Sequence, residues 1–227
     1  MPEPGVFTRL GKRISVLLGL AIGLGFTRNL HDAYCFLMDN YEENDITRHN
    51  PDVAIVRQAV SIDERRCCFR HNLMDPDWDN PAQDVRNVWF AGAHSDVGGG
   101  YPEAESGLSK LTLEWRAREA KAAGLIMDNG MLARLLGQEP SPRGTLHVTP
   151  DPAGMLHESL KGFWWVMEIL PRRQWNPRGG KMCWAWAPAR PRSMPNNPFV
   201  HRSVEGRMQL VPAYRPVNLP AKYQVVD

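Results

Sequence analysis

Apolar positions recur with a helical period over residues 26–41, where Phe26, Leu30, Tyr34, Leu37 and Tyr41 share a face and Thr27 stands where a capping side chain is needed. A second set, Val53, Val56 and Val60, follows Asp52, and the spacing predicts a helix capped by that aspartate. The run Asp63-Glu64-Arg65-Arg66 reads as a solvated or internally paired polar turn, and a loop rich in Asp, Asn and Pro spans 75–81. The pattern then changes. Val88-Trp89-Phe90-Ala91-Gly92-Ala93 is nearly unbroken apolar sequence, as in a strand covered on both faces, and predicts a strand over 87–93. A triple-glycine turn follows, and then a helix from near Gly107, capped by Ser106, with Leu108, Leu111, Trp115 and Ala122 as its buried stripe and Gly124 as its stop. Strand, loop and helix in that order make the α/β pattern.

Beyond about residue 138 the texture is different. Thirteen of the 19 prolines lie from Pro140 onward, so long helices give way to turns. Five of the eight tryptophans fall there too, at 164, 165, 175, 184 and 186. Asn176-Pro177-Arg178-Gly179-Gly180 reads as a loop between two extended segments, the second being Met182-Cys183-Trp184-Ala185-Trp186. Trp164, Trp165, Trp184 and Trp186 are expected in a core, with an acyl-chain groove or a membrane surface as the competing placement.

The 227 residues, 43% hydrophobic and 23% charged, suffice for one domain or for a domain plus an appendage. With 27 basic against 25 acidic residues there is no electrostatic case for a nucleic-acid partner. Four cysteines without metal-ligand spacing fit reduced thiols in a reducing, cytoplasmic compartment, with Cys67 and Cys68 incidental. The apolar stretch 14–26 follows Lys12-Arg13 but is too short for a transmembrane segment and lacks a small-residue cleavage site, so it reads as a connector.

His94 is the candidate for chemistry. A histidine thrown off the end of a buried strand onto a glycine-rich loop lies where open α/β sheets bind their ligands, outside the carboxyl ends of the strands. Asp96 is placed to bond backbone N–H groups of the glycine turn. Gly98, Gly99 and Gly100 either let the backbone approach a substrate or simply make a turn at positive φ. His94 and Asp96 lack a third ligand at convincing spacing, so no metal site is read. Neither G-x-G-x-x-G nor a Walker lysine is present, which weakens any phosphate-cradling reading. A serine nucleophile on a strand-to-helix elbow needs G-x-S-x-G, and Ser61, Ser95, Ser106, Ser109, Ser159 and Ser203 all lack that setting.

The block from Trp89 to Tyr101 resembles the W-F-x-G-x-H-S-D-V-G-G-G-Y block of a family of α/β hydrolases known mainly as a domain of unknown function, which includes the catalytic domains of type VI secretion phospholipase effectors. Further similar pieces are Asn29-Leu30-His31-Asp32-Ala33-Tyr34 with Asn40-Tyr41-Glu42, the Ser61–Arg66 run, Leu108-Ser109 with Trp115, His201-Arg202-Ser203-Val204, and Tyr214-Arg215-Pro216-Val217-Asn218-Leu219-Pro220. The resemblance implies that His94 descends from a general base, with Asp96 beside it and Gly98, Gly99, Gly100 and Tyr101 as a substrate loop.

Two departures qualify it. In the family an acidic residue and isoleucine like Asp45-Ile46 lead into a strand and a G-F-S-R-G-A elbow, followed later by a V-W-D-T-V segment. Here Ile46 runs into Thr47-Arg48-His49-Asn50-Pro51, and the family's opening D-G-T-W-N segment is also missing. The expected fold is therefore α/β: an incomplete α/β-hydrolase-like sheet with helices over 1–138, plus a Pro/Trp-rich C-terminal extension over 139–227 packed on it. The expected function is that of a phospholipase-like serine ester hydrolase lacking its nucleophile, and so inactive as an isolated chain. The competing reading is a non-catalytic remnant or binding module. The resemblance implies a phospholipid or other ester as substrate, no cofactor, secretion-system components as partners, and delivery from the producing cytoplasm to a target cell.

Overall fold

The computed structural model of the protein describes residues 53–227 apart from 70–72, 75–81, 143, 170–171, 177–180 and 186–187. The helix expected over 26–41, the apolar stretch 14–26, Asp52 and the loop at 75–81 lie outside the described residues. In chain order the elements are β1 (Ile55–Ser61), β2 (Asp84–Phe90), α1 (His94–Gly98), α2 (Gly107–Ala122), α3 (Asn129–Leu135), α4 (Trp164–Ile169), β3 (Arg172–Asn176), β4 (Lys181–Ala185), β5 (Phe199–His201), α5 (Arg202–Leu210) and β6 (Gln224–Val226). Short 3-10 turns stand at Cys67–Phe69 and Glu103–Glu105.

Four strands form one sheet in the order β1-β2-β5-β6, and every neighbouring pair is parallel, so the fold is α/β. β2 lies inside the sheet, and its alternation explains its sequence. Trp89 packs on one face with Val60, Ile62, Val200 and with Val204 of α5; Val88 and Phe90 pack on the other with Val97 of α1 and Trp115 of α2. Phe90 and Trp115 meet edge to face, with ring centroids 5.4 Å apart. A strand between two helical layers has no polar face to show, hence the continuous apolar run. Two of the four strands come from beyond residue 138, so the C-terminal part supplies sheet as well as turns.

The helix expected over Val53–Val60 is instead strand β1. Val53, Val56 and Val60 mimic a helical stripe, but Ile55, Val56 and Val60 are β-branched and stiff at χ1, and seven residues of β1 pair with β2 in register from Ile55–Asp84 to Ser61–Phe90. β2 begins and ends three residues earlier than the apolar run suggests, because Gly92 takes φ +115° and turns the chain out of the sheet. A Cβ there would lie 2.5 Å from Cβ of Asp96, so only glycine fits. α2 starts at Gly107 and stops before Gly124, which has φ +96°, as expected. Its buried stripe holds Leu108, Leu111 and Trp115 but not Ala122, which is exposed in the last turn.

The chain divides into two compact units, one formed by Arg48–Lys161 with Ala187–Asp227, and the other by the remainder, of which α4 and the antiparallel β3–β4 hairpin are described. The two extended segments expected on either side of the 176–180 loop match that hairpin, while 177–180 and Trp186 lie outside the described residues. Trp165 is exposed rather than in a core. Among the described residues no helix is long and apolar enough to cross a membrane.

Candidate functional site

The turn at the carboxyl end of β2 is fixed from below by two acidic side chains. Asp63 Oδ2 accepts from the Gly92 N–H at 2.7 Å and from the Tyr214 hydroxyl at 2.8 Å, while the Asp63 N–H returns a bond to the Gly92 carbonyl. Burial pushes the Asp63 carboxyl up, against the pull of those two donors. Glu64 is buried and takes a denser set. Its carboxylate accepts from the Arg66 N–H, from both ends of the Arg66 guanidinium at 2.9 and 2.8 Å, from the Ser159 hydroxyl at 3.0 Å and from the His94 N–H at 3.1 Å. Burial raises its pKa, but the Arg66 bonds outweigh it and hold the carboxyl below the ordinary value. Within the run Asp63–Arg66, Glu64 is buried and paired with Arg66, while Arg65 is exposed.

His94 opens α1, a single helical turn inserted before the glycines. Its backbone N–H, one of the orphan donors of a helix start, is the one bonded to Glu64. Its ring is exposed and leans on Phe69, with centroids 5.1 Å apart; the Arg66 guanidinium lies over the Phe69 ring, 3.9 Å from its centroid. Partial desolvation lowers the His94 pKa, and the Arg192 cation lowers it further, against a smaller opposing pull from Glu64. Arg192 itself is buried, donating to the Ser61 carbonyl and hydroxyl at 3.0 and 2.6 Å and to the Phe69 carbonyl. Among the described residues nothing hydrogen-bonds the His94 ring. The side chain is accordingly neutral near neutral pH and open to a ligand, which is the state a general base requires.

Asp96 serves a different histidine. Its Oδ2 accepts from the Ala93 N–H at 2.9 Å, ahead of α1 and not in the glycine turn, and from the His157 N–H at 3.1 Å; its Oδ1 lies 2.6 Å from Nδ1 of the His157 ring. The other ring nitrogen of His157 is 3.0 Å from Glu105. Tyr101 stacks on the same ring, with centroids 3.5 Å apart and planes 13° off parallel. Burial draws the His157 pKa down, but the two carboxylates outweigh it and hold the imidazole above its ordinary value. His157 therefore ties α1, Tyr101 after the glycines and the 3-10 turn ahead of α2 together. The sequence reading missed it, because Leu156-His157-Glu158-Ser159 matches no spacing rule and its partner Asp96 is 61 residues away.

The glycines divide. Gly98 ends α1, whereas Gly99 and Gly100 have φ +83° and +130° and make the turn. All three are exposed, and Tyr101 is half-buried on His157. Ser203 Oγ lies 2.8 Å from His201 Nδ1 at a helix start, where the same Nδ1 caps the helix by accepting from the Ser203 N–H at 3.3 Å: both residues are buried, and His201 is stacked on Phe90, its pKa lowered by desolvation to about 4. Ser61, Ser106, Ser109 and Ser159 are bonded to Arg192, Glu103, Ser106 and Glu64. Among the described residues no group of three His, Cys, Asp or Glu is arranged to hold a metal ion.

Residues 45–119 match the model of the family described as "T6SS, Phospholipase effector Tle1-like, catalytic domain". The matched stretch contains β1, β2, α1 and all but the last turn of α2. No curated protein and no solved structure matches the chain.

Proposed function

We propose, taking residues 45–119 as part of a type VI secretion phospholipase effector-like catalytic domain, that the chain carries the histidine half of a serine ester hydrolase site and hydrolyses no ester by itself. In that chemistry a base takes the serine proton as Oγ attacks the ester carbonyl and returns it to the leaving alcohol. The observation carrying the reading is the exposed His94 ring at the carboxyl end of a parallel strand, free of protein hydrogen bonds among the described residues. Gly99, Gly100 and Tyr101 would line the approach of a phospholipid ester, and Asp96 would set the loop through His157 rather than orient His94 directly.

The missing part is the nucleophile. No serine in the 227 residues has the G-x-S-x-G setting, and five described serine hydroxyls are committed to other partners. Ser95 follows His94 in the same helical turn, roughly 100° around the axis, and so does not face it. A non-catalytic module that associates with an intact relative or with secretion components is the second reading. It is favoured by the sheet edges: among the described residues β1 and β6 each have one side unpaired. The test is to incubate the chain with a fluorophosphonate probe and short-chain nitrophenyl esters. No serine labelling and no turnover are expected; labelling that vanishes when one serine is changed to alanine would overturn the proposal.

A further inference from the structure

α2 and α3 run in opposite directions side by side, and two lysines fix their register. Lys121, at the end of α2, donates to the Asn129 side chain at the start of α3, and Lys110, near the start of α2, donates to the Leu135 carbonyl at the end of α3 at 2.7 Å. Residues of both helices line an open cleft of about 660 Å³, a size that admits several side chains of a partner. Leu132 and Leu136 supply apolar surface from the α3 side. Glu114, Arg118 and Lys121 line it from α2, where their spacing of four and three residues puts them on one face, and Glu139 lines it from beyond the end of α3.

The charges are sorted along this cleft. Lys121 closes it at the loop joining the two helices, with Arg118 about one turn in, whereas Glu114, about one turn from Lys110, lies with Glu139 toward the far end. Among the described residues Glu114, Arg118 and Glu139 make no hydrogen bond or ion pair, so their charges are available to a partner. The joining loop is apolar and prominent: Ile126 is 96% exposed and Leu125 56%, and Met131 in the first turn of α3 is 51% exposed. One exposed isoleucine would say little, but three large apolar side chains beside a cleft mark an interaction surface. A surface with a basic end, an acidic end and a projecting apolar tip is complementary to itself, because a twofold axis across the cleft lays the basic end of one copy on the acidic end of the other. A ligand of single charge would give no reason for the two signs at opposite ends.

We propose that the α2–α3 face is the interface of a homodimer, in which the Leu125–Ile126 tip of each copy enters the cleft of the other while Arg118 and Lys121 meet the partner copy's carboxylates at the opposite end. This goes beyond the hydrolase reading and needs neither His94 nor any turnover. The test is sedimentation-velocity ultracentrifugation of the full chain over a series of concentrations at low and raised salt, with circular dichroism of every variant. A dimer is expected, weakened by salt and weakened by at least roughly tenfold in I126D, a change at an almost fully exposed position. R118E/K121E makes both ends of the cleft acidic and E114K/E139K makes both basic. Each alone should stay monomeric, and an equal mixture of the two should dimerise, a recovery that damage to the fold would not produce. I126D decides the matter alone should a charge variant not fold. A wild-type monomer at every concentration, or folded charge variants whose mixture associates no more than either does alone, would overturn the proposal. So would an oligomer that I126D leaves unchanged, since association would then belong to the sheet edges.

Discussion

Removing the His157 ring should cost far more than removal of an ordinary surface histidine. His157→Ala leaves Asp96 Oδ1 facing a gap; Asp96 is buried and keeps only two backbone N–H donors, both on Oδ2. Stranding a buried carboxylate in that way costs about 2–4 kcal/mol. The lost Glu105 pair adds little, ~0–1 kcal/mol, because Glu105 is well exposed, and the lost Tyr101 stack adds ~0.5–1.5 kcal/mol. A total of about 2.5–6.5 kcal/mol is a large fraction of the ~5–15 kcal/mol stability of a typical domain. The penalty should also depend on pH. A single ring faces two carboxylates, and only the imidazolium has a donor for each; the neutral ring keeps one N–H. Because the folded-state pKa is raised above the unfolded value of about 6.5, the extra stability is fully present below about pH 6.5 and is lost as pH rises through the folded pKa. His94 and His201, with lowered values, act in the opposite sense in both proteins. Urea unfolding of wild type and H157A at several pH values therefore isolates His157 in the difference between them. A penalty below about 1 kcal/mol, or a difference that widens as pH rises from about 6 to about 9, would refute the clamp.

Gly92→Ala should lose more than ~2 kcal/mol, through both a strained φ and the collision with Asp96, whereas Gly98→Ala, in a helix with open space around it, should be neutral or stabilise by up to ~1 kcal/mol; thermal melts of the two variants check this, and the reverse order would refute it. The sheet edges at β1 and β6, each with one side unpaired among the described residues, predict oligomers by light scattering and broad unfolding; a monodisperse monomer with a sharp, reversible transition well above ~65 °C would refute this.

How legible all this was in the sequence varied with the range of the signal. Local patterns carried the β2 run, the α2 helix with its Gly124 stop and the 172–185 hairpin, because each is written in neighbouring residues. Val53–Val60 misled because three valines at helical spacing say nothing of the partner strand, and parallel pairing to β2 decides the matter. His94 was legible as a residue on a strand-end turn. Its lowered pKa was not, since that depends on burial and on the Arg192 cation arriving from elsewhere in the chain. Asp96 could be expected to bond the turn, but its pairing with His157 joins two segments with no shared pattern.

The pairing of Val88 with Phe199 has a consequence for how the chain comes to be folded. β2 lies next to β5, yet α1, α2, α3, α4 and the β3–β4 hairpin all intervene along the sequence. As the chain leaves the ribosome, β2 emerges early and can dock on β1, but Trp89 stays uncovered on one face until Val200 and Val204 are made. Closure of so long a loop is slow, and the uncovered strand is open to association meanwhile. Synthesis halted anywhere before β5 would yield a chain with its central tryptophan bare, one that quality control would meet as unfolded.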